Sequence, residues 1–142
     1  RWYNDRRWLR DVRLTTGVPV TAGQSEHRID TVRDLLVSGS VDFCNFDSSW
    51  GGGPTIWRRV AAIAAANGVR MAHHEEPQIA GHLLGSIAHG SYVECFHRQR
   101  DPIFWEIQVE PPAIHNGMYT LSDRPGFGIQ INRDYVARYR VS

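Results

Sequence analysis

Residues 41–84, VDFCNFDSSWGGGPTIWRRVAAIAAANGVRMAHHEEPQIAGHLL, decide the fold. They read as strand, glycine-rich turn, helix, strand, helix, with Asp47 ending the first strand and the pair His73-His74 ending the second. In parallel α/β architectures the carboxyl ends of the strands face the ligand, so ionisable side chains there are candidates for chemistry. An aspartate and a histidine so placed suggest an acid/base dyad.

The flanking sequence extends the same pattern in both directions. Residues 18–23, VPVTAG, form a buried-type strand bounded by turn residues. Its side chains alternate, so Val18, Val20, Ala22, Gln24 and, if the extension continues, Glu26 share one face. A helix follows from His27 to Ser38 on Ile29, Val32, Leu35 and Leu36, and Gly39 stops it. In the next strand Phe43, Asn45 and Asp47 share a face. The helix after Gly51-Gly52-Gly53 has Pro54 suited to its first position and an apolar stripe of Ile56, Val60, Ile63 and Ala64. On VRMAHH, Arg70, Ala72 and His74 alternate with Met71 and His73. A helix from Pro77 carries Ile79, Leu83 and Ile87 inward. The strand SYVECF (91–96) then sends Tyr92, Glu94 and Phe96 one way and Val93 and Cys95 the other.

Three βα units and a closing strand argue for four parallel strands joined by right-handed crossovers. They fit an open sheet, or half of an eight-stranded barrel, which needs about 250 residues in all. Ahead of them, residues 1–16 hold a short helical pattern that Asn4 or Asp5 can cap, with Trp8, Leu9 and Val12 on one face. After Phe96 the pattern breaks. Residues 97–142 contain Asp101-Pro102, Pro111-Pro112, the turn signal Asn116-Gly117, Pro125-Gly126, the alternating run FGIQIN and a last short helix near Asp134 to Tyr139. They read as an extended tail with a small hairpin.

Composition removes several function classes. The net charge is +1 and the 16 basic residues are spread without a long run, so nucleic acid is not indicated. The longest apolar run, around Val60 to Ala66, is too short to span a bilayer, and no signal pattern opens the chain. A soluble cytoplasmic protein is expected. Cys44 and Cys95 belong to no C-x-x-C or Cys/His cluster, so they support neither a disulfide framework nor a zinc site and are expected to be core thiols.

Four strand ends carry polar or ionisable groups: Gln24 or Glu26, Asp47, His74 and Glu94. Each has a structural alternative. Asp47 suits a helix N-cap or turn before SSWGGG, and His74 suits a core histidine or a loop residue. Glu94 is more telling, because a carboxylate between Val93 and Cys95 in a strand is costly to bury unless paired or functional. Proton transfer is the chemistry these groups suit, since a histidine held by an aspartate has its tautomer fixed and its imidazolium stabilised. Strand-end carboxylates also suit Mg²⁺, which takes hard oxygen ligands, but this chain offers too few for a complete site. The triple glycine lacks the P-loop lysine and the G-x-G-x-x-G spacing, so it reads as a tight turn.

Nearly the whole chain resembles the C-terminal part of the enolase superfamily, in the mandelate racemase/muconate lactonizing enzyme group. The resemblance rests on TGVPVTAGQSE, VDFCNFDSSWGGGPTIWRRVAAIAAANG, MAHHEEPQIAGHLL and YVECF, in that order and at family-like spacing. It implies that residues 1–96 are strands five to eight of a modified (β/α)7β TIM barrel. It also implies that residues 97–142 are a tail that packs on a capping domain outside this chain. Asp47 and His74 match the family's Asp-His dyad, Glu94 matches the acidic residue of the last strand, and His73 is expected to point into the helix layer. The family's Gly-Glu metal ligand becomes Gly23-Gln24 here, so Glu26 is assigned the Mg²⁺, with Gln24 as the alternative. The catalytic lysine and the other metal ligands are expected outside these residues. The implied reaction is Mg²⁺-dependent abstraction of the proton α to a carboxylate, giving an enediolate. Sugar-acid dehydration is favoured for the full-length parent, a homo-oligomer by expectation. The alternatives are a racemase or epimerase of a 2-hydroxy acid, or a non-catalytic fragment or pseudoenzyme. The isolated chain is expected to be inactive.

Overall fold

Residues 5–111 and 113–141 are described by the computed structural model; Asn4 and Pro112 lie outside them. Strands β1 (Thr21–Ala22), β2 (Phe43–Cys44), β3 (Arg70–His73) and β4 (Gly90–Val93) lie side by side in chain order, every pair parallel. Helices α2 (Ile29–Val37), α3 (Gly53–Ala66) and α4 (Pro77–Gly85) connect them, and α1 (Arg6–Thr16) precedes β1. This is the α/β arrangement of a partial barrel. The ladders are shorter than the apolar runs: β1 is two residues of VPVTAG and β2 two of VDFCNFD.

The sheet has one covered and one open face. Ala22, Cys44, Phe46, Met71 and His73 are buried against Val32, Leu35, Leu36, Trp57, Val60, Ala61, Ala64, Leu83 and Leu84 of the helices. Pro19, Thr21, Phe43, Asn45, Ala72, Tyr92 and Glu94 line an open cleft of about 360 Å³ on the other. Thr21 therefore shares the face of Phe43 and Ala72, whereas Val20 packs with the helix-side core and Ala22 is buried in it. The alternation expected to carry Gln24 and Glu26 along with Ala22 ends at Gly23. Its φ is +127°, and the Glu26 N–H donates to its carbonyl at 3.1 Å, so the chain turns there.

Local chemistry explains the other departures. On α3 the buried stripe is Trp57, Val60, Ala61 and Ala64, with Ile56 and Ile63 at its margin, because the largest apolar residue takes the centre. On α1, capped by Asp5, Leu9 packs on the core while Trp8 and Val12 are exposed. Asp42 ties α1 to the amino end of the sheet, accepting from Arg13 Nε at 2.8 Å and from the Val20 N–H at 2.9 Å. The triple glycine is the expected tight turn. A Cβ on Gly51 would lie 2.0 Å from Phe46 Cζ, and Gly52 and Gly53 have φ of +100° and +82°.

The tail holds one helix that the sequence reading lacked, α5 (Pro102–Glu106), whose cap Asp101 accepts from the Phe104 N–H. The Asn116-Gly117 turn closes the hairpin of β5 (Ile114–His115) and β6 (Met118–Tyr119). The run FGIQIN is not a strand; Ile131 makes one antiparallel bridge to Gln108 before α6 (Arg133–Arg138). Tyr119 and Leu121 close over Gly81, and Phe127 meets His82, so the inner side of the tail packs on α4. Both cysteines are free, and burial pushes the Cys44 thiol up to about 12. Among the described residues no helix is long and apolar enough to cross a membrane.

Candidate active site

Asp47 leaves the end of β2 and His74 the end of β3, and the parallel pairing brings them together. Asp47 Oδ2 lies 2.8 Å from His74 Nδ1, with both residues buried. Asp47 Oδ1 accepts from the Ser49 N–H at 2.8 Å, the Ser49 hydroxyl at 2.7 Å and the Trp50 N–H at 3.3 Å. Burial alone would raise the pKa of this carboxyl. The hydrogen bonds from His74, Ser49 and Trp50 outweigh that and hold it below the usual carboxylate value. An ionised carboxylate only accepts, so His74 carries a proton on Nδ1, and in the neutral imidazole Nε2 is the nitrogen with the lone pair. Asp47 thus caps the turn into SSWGGG and holds the His74 ring at the same time.

Nε2 faces acid. Glu75 Oε1 is 3.5 Å away and Glu94 Oε2 is 3.7 Å away. Glu94, just beyond β4, is half-buried, and its Oε2 has no hydrogen-bond partner among the described residues. It stands between two clefts, the sheet-face cleft described above and one of about 310 Å³ lined by Glu75, Glu76, Gln78, Asp101 and Phe104. A further cavity of about 160 Å³ lies between α4 and the tail, away from the dyad.

His73 occupies the opposite face. It is fully buried, its Nδ1 lies 2.7 Å from the His74 carbonyl, and the Ser48 N–H donates to its Nε2 at 3.1 Å. A backbone N–H can only donate, so Nε2 is bare and Nδ1 holds the proton. Burial lowers its pKa and keeps it neutral. It is a structural histidine, placed in the helix layer as expected.

The residues expected from the sequence to meet Mg²⁺, Gln24 and Glu26, lie on the turn after β1. Gln24 Oε1 accepts from Asn45 Nδ2 at 3.3 Å, which ties the turn after β1 to the residue two before Asp47. Glu26 lies two residues further on the same turn and acts electrostatically on Cys44. Both side chains offer hard oxygen donors, the chemistry Mg²⁺ takes. No group of three or more His, Cys, Asp or Glu among the described residues is arranged to hold a metal ion. The residues fit a contribution to such a site.

Four residues were not singled out from sequence. Ser49 and Trp50 lie two and three residues after Asp47, and the Asx-type turn that Asp47 forms with them is legible in the string DSS. Glu75 and Glu76 follow His74, and both have φ of +50°, uncommon for non-glycine residues and a feature of functional sites. Burial, with Asp47 and Glu75 nearby, raises the pKa of Glu76.

The model of the family described as "Enolase C-terminal domain-like" matches residues 2–135. A putative L-rhamnonate dehydratase from Caldivirga maquilingensis is 30% identical over 124 residues, 84% of this chain and 31% of the relative. A 3,6-anhydro-alpha-L-galactonate cycloisomerase from Streptomyces coelicolor is 28% identical over 126 residues, 89% of this chain and 34% of the relative. The chain thus spans about a third of the length of these relatives. A mandelate racemase/muconate lactonizing enzyme from a marine actinobacterium, solved in complex with magnesium, is similar with a TM-score of 0.92 and 55% identity, over 99% of this chain and 40% of that one.

Proposed function

The chain belongs to the enolase C-terminal domain-like family, and from that membership we propose that the complete enzyme dehydrates a sugar acid by first removing the proton α to its carboxylate. The relatives are dehydratases, cycloisomerases and racemases of the enolase superfamily, which supports the general reaction type. The observation that carries the proposal for this chain is the 2.8 Å contact of Asp47 with His74 Nδ1, which leaves Nε2 open beside Glu94.

In this reading His74 Nε2 takes the α-proton and the electron pair of the C–H bond moves onto the substrate carboxylate. Asp47 fixes the tautomer and offsets the charge of the imidazolium that forms. Glu94, as the acid, donates to the substrate carboxylate, so the two groups meet as donor and acceptor and not as two anions. The imidazolium then returns its proton to the β-hydroxyl. The C–O bond breaks, the electron pair closes the double bond, and water leaves. The resulting enol tautomerises to a 2-keto-3-deoxy acid. Glu26, with Gln24 as alternative, would supply this chain's ligand to Mg²⁺, which when bound provides positive charge beside the substrate carboxylate. The outer surface of residues 97–142 is proposed to meet a capping domain.

Racemisation or epimerisation needs only a second base on the opposite face, and His74 is the one base that the described residues bring to Asp47. A panel of sugar acids incubated with the full-length protein and Mg²⁺ in D₂O separates the two. Dehydration yields a 2-keto-3-deoxy acid, whereas racemisation yields deuterium-labelled epimers. His74→Asn is expected to lower turnover by about 10²- to 10⁴-fold. Full turnover in that variant would rule out the mechanism, and failure of the full-length protein to bind Mg²⁺ would favour a pseudoenzyme.

A further inference from the structure

Trp50 touches both members of the dyad. Its backbone N–H donates to Asp47 Oδ1 at 3.3 Å, and its ring meets the His74 imidazole edge-on, with centroids 5.5 Å apart and planes at 63°. On a third side the His27 ring, from the connection between β1 and α2, lies flat against the indole, with centroids 5.7 Å apart and planes at 4°. One residue therefore joins three strand-end loops around Nε2. We propose that Trp50 is a positioning residue for the base, its backbone orienting Asp47 and its ring setting the tilt of the His74 imidazole.

A single hydrogen bond from Nδ1 to Asp47 leaves the imidazole free to swing about that bond. An aromatic pair has a preferred edge-to-face geometry, so the indole supplies the second constraint that aims Nε2. The indole is itself held by the stacked His27. Trp50 is also 55% exposed. An indole that far out of the core adds little to it, and this allows a positioning role to be separated from a folding one. His74 otherwise faces the charged groups Asp47, Glu75, Glu76 and Glu94.

The description of His74 as a base rests on the proposed proton abstraction, so the test has one arm that needs no reaction. In full-length protein carrying His27→Ala, the Trp50 emission at one fixed pH is read as the difference between the parent and its Trp50→Phe variant. An imidazole edge-on to an indole alters that emission, so His74→Asn is expected to change it. Emission unmoved by His74→Asn overturns the contact. The second arm uses α-proton exchange in D₂O. Trp50→Leu is expected to lower kcat by roughly tenfold to a hundredfold with KM little changed, the effect of a misaimed base. Trp50→Phe, which keeps a ring, should recover most of the loss at an unchanged melting temperature. Wild-type kcat in Trp50→Leu overturns the proposal, as does a loss that tracks the melting temperature and that Phe does not rescue. If the unsubstituted enzyme shows no exchange while the emission responds to His74→Asn, the proton-abstraction reading fails and the Trp50 contact stands.

Discussion

His73 and His74 are adjacent, and the two-residue period of β3 sends them to opposite faces with opposite requirements. His74 needs a hydrogen on Nδ1 for Asp47. His73 needs a bare Nε2 for the Ser48 N–H, and protonating it would set two donors against each other. Its folded pKa lies below the unfolded value of 6.5. The folded state then binds fewer protons than the unfolded chain as acid is added. The stability held by neutral His73 is therefore complete above pH 6.5 and is lost as the pH falls below it, by up to about 1.4 kcal/mol per pH unit. Asp47, whose pKa is also depressed, acts in the same direction at lower pH, as the medium passes below the ordinary carboxylate value. In the full-length protein, urea midpoints measured from pH 7.5 to 5 should fall less steeply for His73→Gln, which has no ring to protonate. Equal slopes would contradict the assignment. Asp47 and His74 were legible in the sequence because the alternation runs on past the last paired residues of β2 and β3, with Phe43 and Asn45 on the cleft and Cys44 and Phe46 in the core. Gln24 and Glu26 were not placed by the same rule, because Gly23 turns the chain and the period ends with it.

Elements were legible in order and type, and less so where a signal has two meanings. Asp101-Pro102 suits a turn, but aspartate as cap and proline at the first helical position also open a helix. At five residues α5 is too short to show a period. FGIQIN alternates like a strand, yet strands need partners, and only Ile131 has a bridge. Trp57 was passed over because the alanines around it hide the centre of the stripe. Close packing between elements gives a prediction that turn geometry alone would reverse. A Cβ on Gly90, at the start of β4, would meet the Leu84 carbonyl oxygen of α4 at 2.3 Å, backbone against backbone. Gly117 has φ of +73° with open space around it. Gly90→Ala is expected to cost about 1–3 kcal/mol or more through overpacking, and Gly117→Ala about 1–2 kcal/mol through left-handed strain. Thermal melts of the two variants check the ordering. A larger loss at Gly117 would mean that α4 and β4 can move apart.

Taken whole, the molecule exposes the surface that a closed barrel would cover. In the order β1-β2-β3-β4 the two outer strands, β1 and β4, each pair on one side only. The cleft face between them carries Thr21, Phe43 and Tyr92, the last 65% exposed. Unpaired parallel edges and a contiguous apolar face are both templates for association. Added charge on that face should oppose association without touching the helix-side core, since Thr21 and Tyr92 are both exposed. The 142-residue chain by itself is therefore expected to self-associate at about 100 µM, in the range where exposed edges aggregate. Thr21→Glu with Tyr92→Glu should shift it toward monomer in sedimentation equilibrium. The same chain should give no turnover of sugar acids with Mg²⁺, because the described residues contain no arrangement of three carboxylates or histidines able to hold the ion. A monodisperse monomer at that concentration would show that the open face is protected in some other way. Steady turnover by the chain alone would show that a complete site forms from these residues, through association of copies if the charged double variant is inactive and within one copy if it is not.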